Sequence, residues 1–234
     1  VQYLKIKDAI LEQMDAGKLT SQQKLPAERK LAETFDTTRV TLREALSLLE
    51  AEGRIYREDR RGWFISPAPL RYDPTQTLNF TNMALTQGRQ PKTELVSAKL
   101  VLANKQAASL LELQSFSDVY QVNRIRYLDD RPVVYVTHYI RADMFPKLLS
   151  HDLAHSLTDI YRDHYDCMYQ SVRYRIFTSS LMGSLAQALR ATSGTPAMVV
   201  ERVNYNHAGQ LIDCDIEYWR HDAINIESVA NLSR

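Results

Sequence analysis

Cysteine is scarce, with Cys167 and Cys214 the only two among 234 residues. Two thiols this far apart build neither a disulfide framework nor a metal cluster, which points to a reducing compartment and a cytoplasmic protein. No apolar run approaches the roughly 20 residues of a membrane span, and no signal-peptide pattern leads the chain. Net charge is missing too. The 29 Lys and Arg against 28 Asp and Glu leave a formal +1, so any nucleic-acid site must be a local patch rather than a global field. His151 and His155 have i, i+4 spacing, but no Glu or Cys completes a metal-ligand set, and Cys167 lacks the context of a nucleophile. The sequence therefore calls for no metal, no cofactor and no catalytic residue. It also holds no internal repeat and no low-complexity tract.

What is present is an ordinary soluble composition, 44% hydrophobic and 24% charged, at a length that suits one large domain or two small ones. The first 66 residues read as three helices and a ribbon. Tyr3, Ile6, Ile10 and Met14 give one helical face that stops at Gly17. "LPAERKLAETF" follows, with Pro26 near the first helical position and Leu31 and Phe35 facing inward. In "TTRVTLREAL", residues 37–46, Thr38 is an N-cap and Leu42, Ala45, Leu46 and Leu49 form an apolar stripe that ends at Gly53. Two β-prone runs, "IYR" and "WFI", are joined by "EDRRG". Together these outline a winged helix-turn-helix.

Arg39 and Arg43 stand in the opening turns of the third helix, where the helix dipole disfavours cations. An anion delivered from outside resolves that conflict. In a helix-turn-helix this helix end enters the major groove, where arginine can pair with guanine O6 and N7. The wing adds Arg57, Arg60 and Arg61 at a tip closed by Gly62, which lets the backbone approach a phosphate or the minor groove. The plainer reading is a solvated polar face on a three-helix unit.

"SPAPLRYDP" then marks a boundary with three prolines. Beyond it come a short helix, "NFTNMALTQG", and strands "ELVSAKLVLA", "VYQVNRIRYL", "PVVYVTHYI", "MYQSVRYRIF", "AMVVERVNY" and "LIDCDIEYW". Hairpin turns fall at Asp129-Asp130 and residues 207–209, and helical stretches at about 105–111, 144–149, 157–165 and 184–190. Arg124 and Arg126 alternate on one strand and share a face, as do Asp213, Asp215 and Glu217 on the last. Mutual salt bridges on a solvated face would account for this. So would a pocket for a small zwitterion, with arginines on its acid group, a carboxylate on its amine, and the helix start near Phe80 aimed at the anion.

"LPAERKLAETF…TTRVTLREALSLLEAEG" resembles the winged-helix signature of the GntR family of bacterial transcription regulators, over residues 3–65. The resemblance implies DNA contacts at Arg29, Thr38, Arg39, Thr41 and Arg43. The wing departs from the family pattern, with Arg60 in place of a glycine and Trp63 in place of a threonine. Residues 75–230 resemble the UTRA effector domain of the HutC subfamily, through "NFTNMALTQGRQPKT", "RIRYLDDRPVVY", "SLTDIY" and "GQLIDCDIEYWRHD". That resemblance implies effector contacts at Phe80, Thr81, Arg124, Arg126, Asp213 and Trp219. A glutamate frequent in the family falls at Val136, so that contact is lost or moved to Thr137 or His138. "RRGWF", "DPTQ" and "DIEYWRHD" are most similar to regulators of 2-aminoethylphosphonate breakdown operons.

The expectation is an α+β chain: a winged helix-turn-helix DNA-binding domain at 1–66, a linker at 67–76, and a UTRA effector-binding and dimerisation domain, chorismate-lyase-like in fold, at 77–234. A homodimer would bind a twofold double-stranded operator under control of a small phosphonate or phosphate, with no membrane partner. The rival class is a chorismate-lyase-like enzyme acting on a small anion. The first domain argues against it, since an intracellular lyase has no reason to carry one.

Overall fold

A computed structural model describes residues 1–76 and 79–232; residues 77 and 234, the expected limits of the second domain, lie outside the described residues. Three helices lead: α1 (Gln2–Asp15), α2 (Glu28–Thr34) and α3 (Arg39–Ala51). The stripe read from the sequence is the buried face of α3. Leu42, Ala45, Leu46 and Leu49 are fully buried against Ile6 and Ile10 of α1 and Leu31 and Ala32 of α2. The Thr38 hydroxyl accepts the Thr41 N–H at 3.2 Å, satisfying one of the free donors that every helix start leaves. The hairpin of β1 (Ile55–Glu58) and β2 (Gly62–Ile65) sets Arg57 opposite Trp63 and Glu58 opposite Gly62. At its tip Arg60 adopts a left-handed φ of +59°, a conformation that costs a residue with a Cβ and favours glycine.

Two compact units divide the chain. The first joins Val1–Arg71 to Ser180–Pro196, which carries α7 (Gly183–Ala188), and to Arg220–Asn225; the second holds the remainder. Within the first unit the helical head is tied to these late segments. Arg220, buried, donates to the Leu189 carbonyl from Nε at 3.0 Å and Nη2 at 2.5 Å, and its guanidinium lies 5.7 Å from the Tyr56 ring centroid. The Asp59 N–H donates to the Arg190 carbonyl, the Ser66 hydroxyl to Asp222, and a His221 ring nitrogen lies 2.6 Å from the Glu50 carbonyl.

The remaining helices are α4 (Phe80–Thr86), α5 (Lys105–Leu110) and α6 (Leu157–Tyr165). The strands are β3 (Leu70–Tyr72), β4 (Pro91–Leu102), β5 (Asp118–Leu128), β6 (Arg131–Arg141), β7 (Tyr169–Leu181), β8 (Thr195–Asn206), β9 (Leu211–Arg220) and β10 (Ile224–Ile226). Six of them form one sheet in the order β4-β5-β6-β9-β8-β7, with β4–β5, β5–β6 and β6–β9 antiparallel; β3 pairs with β10. The β5–β6 turn places both Asp129 and Asp130 at positive φ, the geometry that matches the twist of a two-residue hairpin. One face of the sheet packs Tyr120, Val122 and Ile140 against Leu157, Ile160 and Tyr161 of α6. The other packs Val119, Tyr139, Cys214 and Ile216 against Ala107 and Leu111.

Strands β3 and β10 were not expected, and one expected helix is not formed. In place of a helix over 144–149 there is only a 3-10 turn, Leu148–Ser150. Pro146 has no N–H to give a helix, and Lys147 turns left-handed at φ +60°.

The head separates stability from surface charge, and this can be measured by urea unfolding. Leu46→Ala should cost about 2–5 kcal/mol, because it leaves a cavity in a closed core. Arg39→Ala should leave stability unchanged or raise it by about 0.3–1 kcal/mol, because it removes a cation from the positive end of α3.

Candidate functional site

The first turn of α3 contains no acidic residue, and Arg39 and Arg43 of this helix are both exposed. Thr38 and Thr41 share a hydroxyl contact at 3.1 Å. Arg29, on α2, is exposed with Glu33 3.6 Å away. Arg43 donates from Nε to Glu28 Oε2 at 2.9 Å, and the other Glu28 oxygen accepts the Trp63 indole N–H at 3.2 Å. Trp63, a departure in the family comparison, is thus a buried member of the head core. Its ring also carries the Arg57 guanidinium at 5.6 Å. Arg61 pairs with Glu58 and lies 5.6 Å from the Phe64 ring. Arg60 is exposed beside Asp59 at 3.8 Å, and Gly62, at φ +102°, leaves room for Lys24, whose Cε a Cβ would meet at 3.3 Å.

The second site is a cavity of about 820 Å³, walled entirely by residues of the second unit. Its floor follows from strand register. Across β5, β6 and β9 the pleat sets three rows on one face: Val122–His138–Asp215, Arg124–Val136–Glu217 and Arg126–Val134–Trp219. Asn79, Phe80 and Thr81 at the start of α4 contribute to the wall, as do the first residues of α6 and Tyr169, Ser171 and Tyr174 of β7.

Two guanidiniums on this floor have no carboxylate partner among the described residues. Arg124, buried, donates from Nε to His138 Nε2 at 3.1 Å and from Nη1 to the carbonyls of Leu153 (3.3 Å) and His155 (2.9 Å). Burial, and then the neighbouring Arg126, push its pKa down to about 9. Arg126 lies over the Phe80 ring at 5.0 Å, and burial holds its pKa below the ordinary guanidinium value. Because His138 Nε2 accepts from Arg124, its proton sits on Nδ1. Burial first, then Arg124 and Arg126, keep this imidazole neutral, its pKa well below 6.5.

A third guanidinium, Arg202 of β8, was not singled out from the sequence. It donates to both Asp215 oxygens at 2.9–3.1 Å and stands 3.6 Å from Glu217. Burial disfavours its charge, but Asp215 foremost, with help from Glu217, holds it charged. The signal was the lone arginine of β8, in phase with Val200 and Asn204.

The expected effector residues Phe80, Thr81, Arg124, Arg126, His138 and Trp219 all border the cavity. Asp213 does not. Its row, Tyr120–Ile140–Asp213, lies beneath α6, where the carboxylate accepts from Tyr161 (2.8 Å), Tyr169 (2.6 Å) and Asn204 (2.7 Å). Burial raises its pKa to about 6, against the lowering effect of those donors. Four residues along β9 from Asp213, Glu217 stands on the floor directly across from Val136. It accepts the Trp219 indole N–H at 2.8 Å, and burial raises its pKa. Thr137 faces the opposite side of the sheet and bonds Asn123 at 2.9 Å. Among the described residues no group of three His, Cys, Asp or Glu could hold a metal ion, and no helix is long and apolar enough to cross a membrane.

Comparison with known proteins matches both parts of the chain to families. The model of bacterial regulatory proteins of the gntR family matches residues 2–65, and that of the UTRA domain matches residues 86–225. The HTH-type transcriptional regulator YihL of Escherichia coli (strain K12) is 30% identical over 212 residues, 90% of this chain and 89% of YihL. The HTH-type transcriptional repressor NagR of Bacillus subtilis (strain 168) is 24% identical, covering 94% of this chain and 90% of NagR. The crystal structure of PhnF from Mycobacterium smegmatis matches with a TM-score of 0.69 at 26% identity, over 96% of this chain and 99% of PhnF. Relatives that regulate transcription do not favour the lyase alternative. The chain belongs to the GntR family of bacterial transcriptional regulators, with an amino-terminal helix-turn-helix domain and a carboxyl-terminal UTRA domain.

Proposed function

We propose that this regulator binds a twofold DNA operator as a homodimer and that a small organic anion, carrying a phosphonate or phosphate, controls that binding from the cavity of the UTRA domain. The observation that carries the reading is the pair Arg124 and Arg126. They stand in adjacent rows of one sheet face, buried or half-buried, with no carboxylate partner among the described residues. Like charges so placed are costly alone and favourable around an anion. Glu217, on the same floor, suits a cationic end of the ligand in the role first expected of Asp213. 2-Aminoethylphosphonate has both ends. The cavity, at about 820 Å³, has room for a larger body than a two-carbon zwitterion, so phosphorylated metabolites up to the size of typical pocket ligands belong in the same class.

On the head, Arg39 and Arg43 suit base edges, and Arg29, Arg57, Arg60 and Arg61 suit the phosphate backbone. Thr38 caps the helix that carries the readers, Thr41 stands beside it, and Gly62 permits close approach of the wing.

Calorimetry with 2-aminoethylphosphonate and with larger phosphorylated anions should show binding that Arg126→Ala weakens by about 2 kcal/mol or more. Glu217→Gln should weaken amine-bearing ligands more than amine-free ones; equal losses would remove Glu217 from that role. In operator titrations, Arg39→Ala should cost about 1–3 kcal/mol of specific binding, while Arg61→Ala should lower the salt slope by about 1 for every sequence tested. Asp213 gives a pH signature. Its folded pKa, about 6, lies above the ordinary 3.8, so its contribution to stability is fullest below pH 4 and is lost as pH rises through 6. Unfolding titrations should therefore show the wild-type advantage over Asp213→Asn shrinking across that window; an advantage that grows would reverse the assignment.

A further inference from the structure

We propose that Glu28 and Trp63 are positioning residues that fix the Arg43 guanidinium for base reading and so join the wing to the reading helix. The inference rests on Arg43 being a base-contacting residue. Glu28 uses its two oxygens for two different donors, Oε2 for Arg43 Nε at 2.9 Å and Oε1 for the Trp63 indole N–H at 3.2 Å. Burial would raise its pKa, but the bonds from Arg43 and Trp63 hold it below the ordinary carboxylate range. Glu28 is therefore an anion at neutral pH.

The arrangement has a directional effect. The carboxylate takes Nε, and among the described residues nothing accepts from the two terminal nitrogens of Arg43. Those are the pair a guanine edge needs for a bidentate contact. A free arginine must surrender rotamer freedom when it binds, whereas one held at Nε has given up much of it beforehand. An exposed ion pair alone would be a weak tether, and the Arg43 side chain is 62% exposed. This carboxylate, however, is itself held by an indole that is 7% exposed and packed in the head core. The indole belongs to β2, and its ring also carries Arg57 of β1 at 5.6 Å. One buried side chain thereby orients a cation of the wing and, through Glu28, a cation of α3.

The chemistry fixes which variants are informative. Gln at 28 keeps the shape but puts an NH2 donor where one of the two carboxylate oxygens stood, so in this geometry it can accept from Arg43 or from Trp63 but sets donor against donor at the other. Phe at 63 keeps an apolar ring and deletes the only donor. A duplex library of random sequence, selected with the wild-type protein, supplies a consensus probe, and an unrelated duplex of equal length is the second probe. The readout is the ratio of the two affinities at fixed salt, with thermal midpoints recorded for each variant.

Arg43→Ala should reduce the ratio about 5- to 150-fold. Glu28→Gln and Trp63→Phe should each reduce it roughly 2- to 12-fold. Glu28→Gln should add no further loss on an Arg43→Ala background, because it acts only through that arginine. If Arg43→Ala lowers the ratio while Glu28→Gln and Trp63→Phe leave it intact, positioning is overturned and the reading role of Arg43 stands. If Arg43→Ala leaves the ratio intact, both fall. A parallel loss on both probes with a lowered midpoint would assign Glu28 and Trp63 to folding alone and overturn the proposal.

Discussion

A guanidinium buried without a carboxylate must find its oxygens elsewhere, and much of the second unit is arranged around that need at Arg124. Its Nη1 holds the carbonyls of Leu153 and His155, which brings the segment before α6 onto the sheet. Ser156 then caps α6 through the Asp159 N–H, and Tyr161 stacks on Phe145 with ring centroids 4.2 Å apart. His138 accepts the remaining bond only as a neutral imidazole, so no anion of the floor is spent on Arg124. The cavity and the helix that roofs part of it thus follow from one solvation problem.

The two units mark their proposed ligand sites in the same way. Other arginines of this chain settle their charge internally: Arg202 with Asp215, Arg141 with Asp143, Arg175 with Glu201. Arg124 and Arg126 depart from that habit, as does Arg39 at the wrong end of a helix field. Local inconsistency of this kind is what a binding surface looks like before its partner arrives. Arg60 adds a backbone version, a left-handed residue with a long side chain at a tip where glycine would be easier.

Much of the head was legible because its signals are local. Thr38 as a cap, the stripe on α3 and the ends at Gly17 and Gly53 need only helical periodicity. The strands and the shared face of Arg124 and Arg126 were legible from alternation within one segment. What failed was pairing between segments. Asp213, Asp215 and Glu217 share a face, but which of them meets the arginines depends on the register of β9 against β6, which no single strand encodes. Arg202 was missed for the same reason, since its significance comes from the strand beside it. Trp63 looked like a defect of the wing because its partner, Glu28, lies 35 residues away.

Residues 220–225 belong to the first unit although the chain supplies them near its end. Ser66 meets Asp222 across 156 residues and Glu50 meets His221 across 171. During synthesis the stripe of α3 can pack as soon as the head emerges, yet Asp222 arrives only 156 residues after its partner Ser66. Closing loops of that length costs entropy that grows slowly with length, so it delays completion more than it weakens the product. The head is begun before the second unit and finished only after most of that unit has been made.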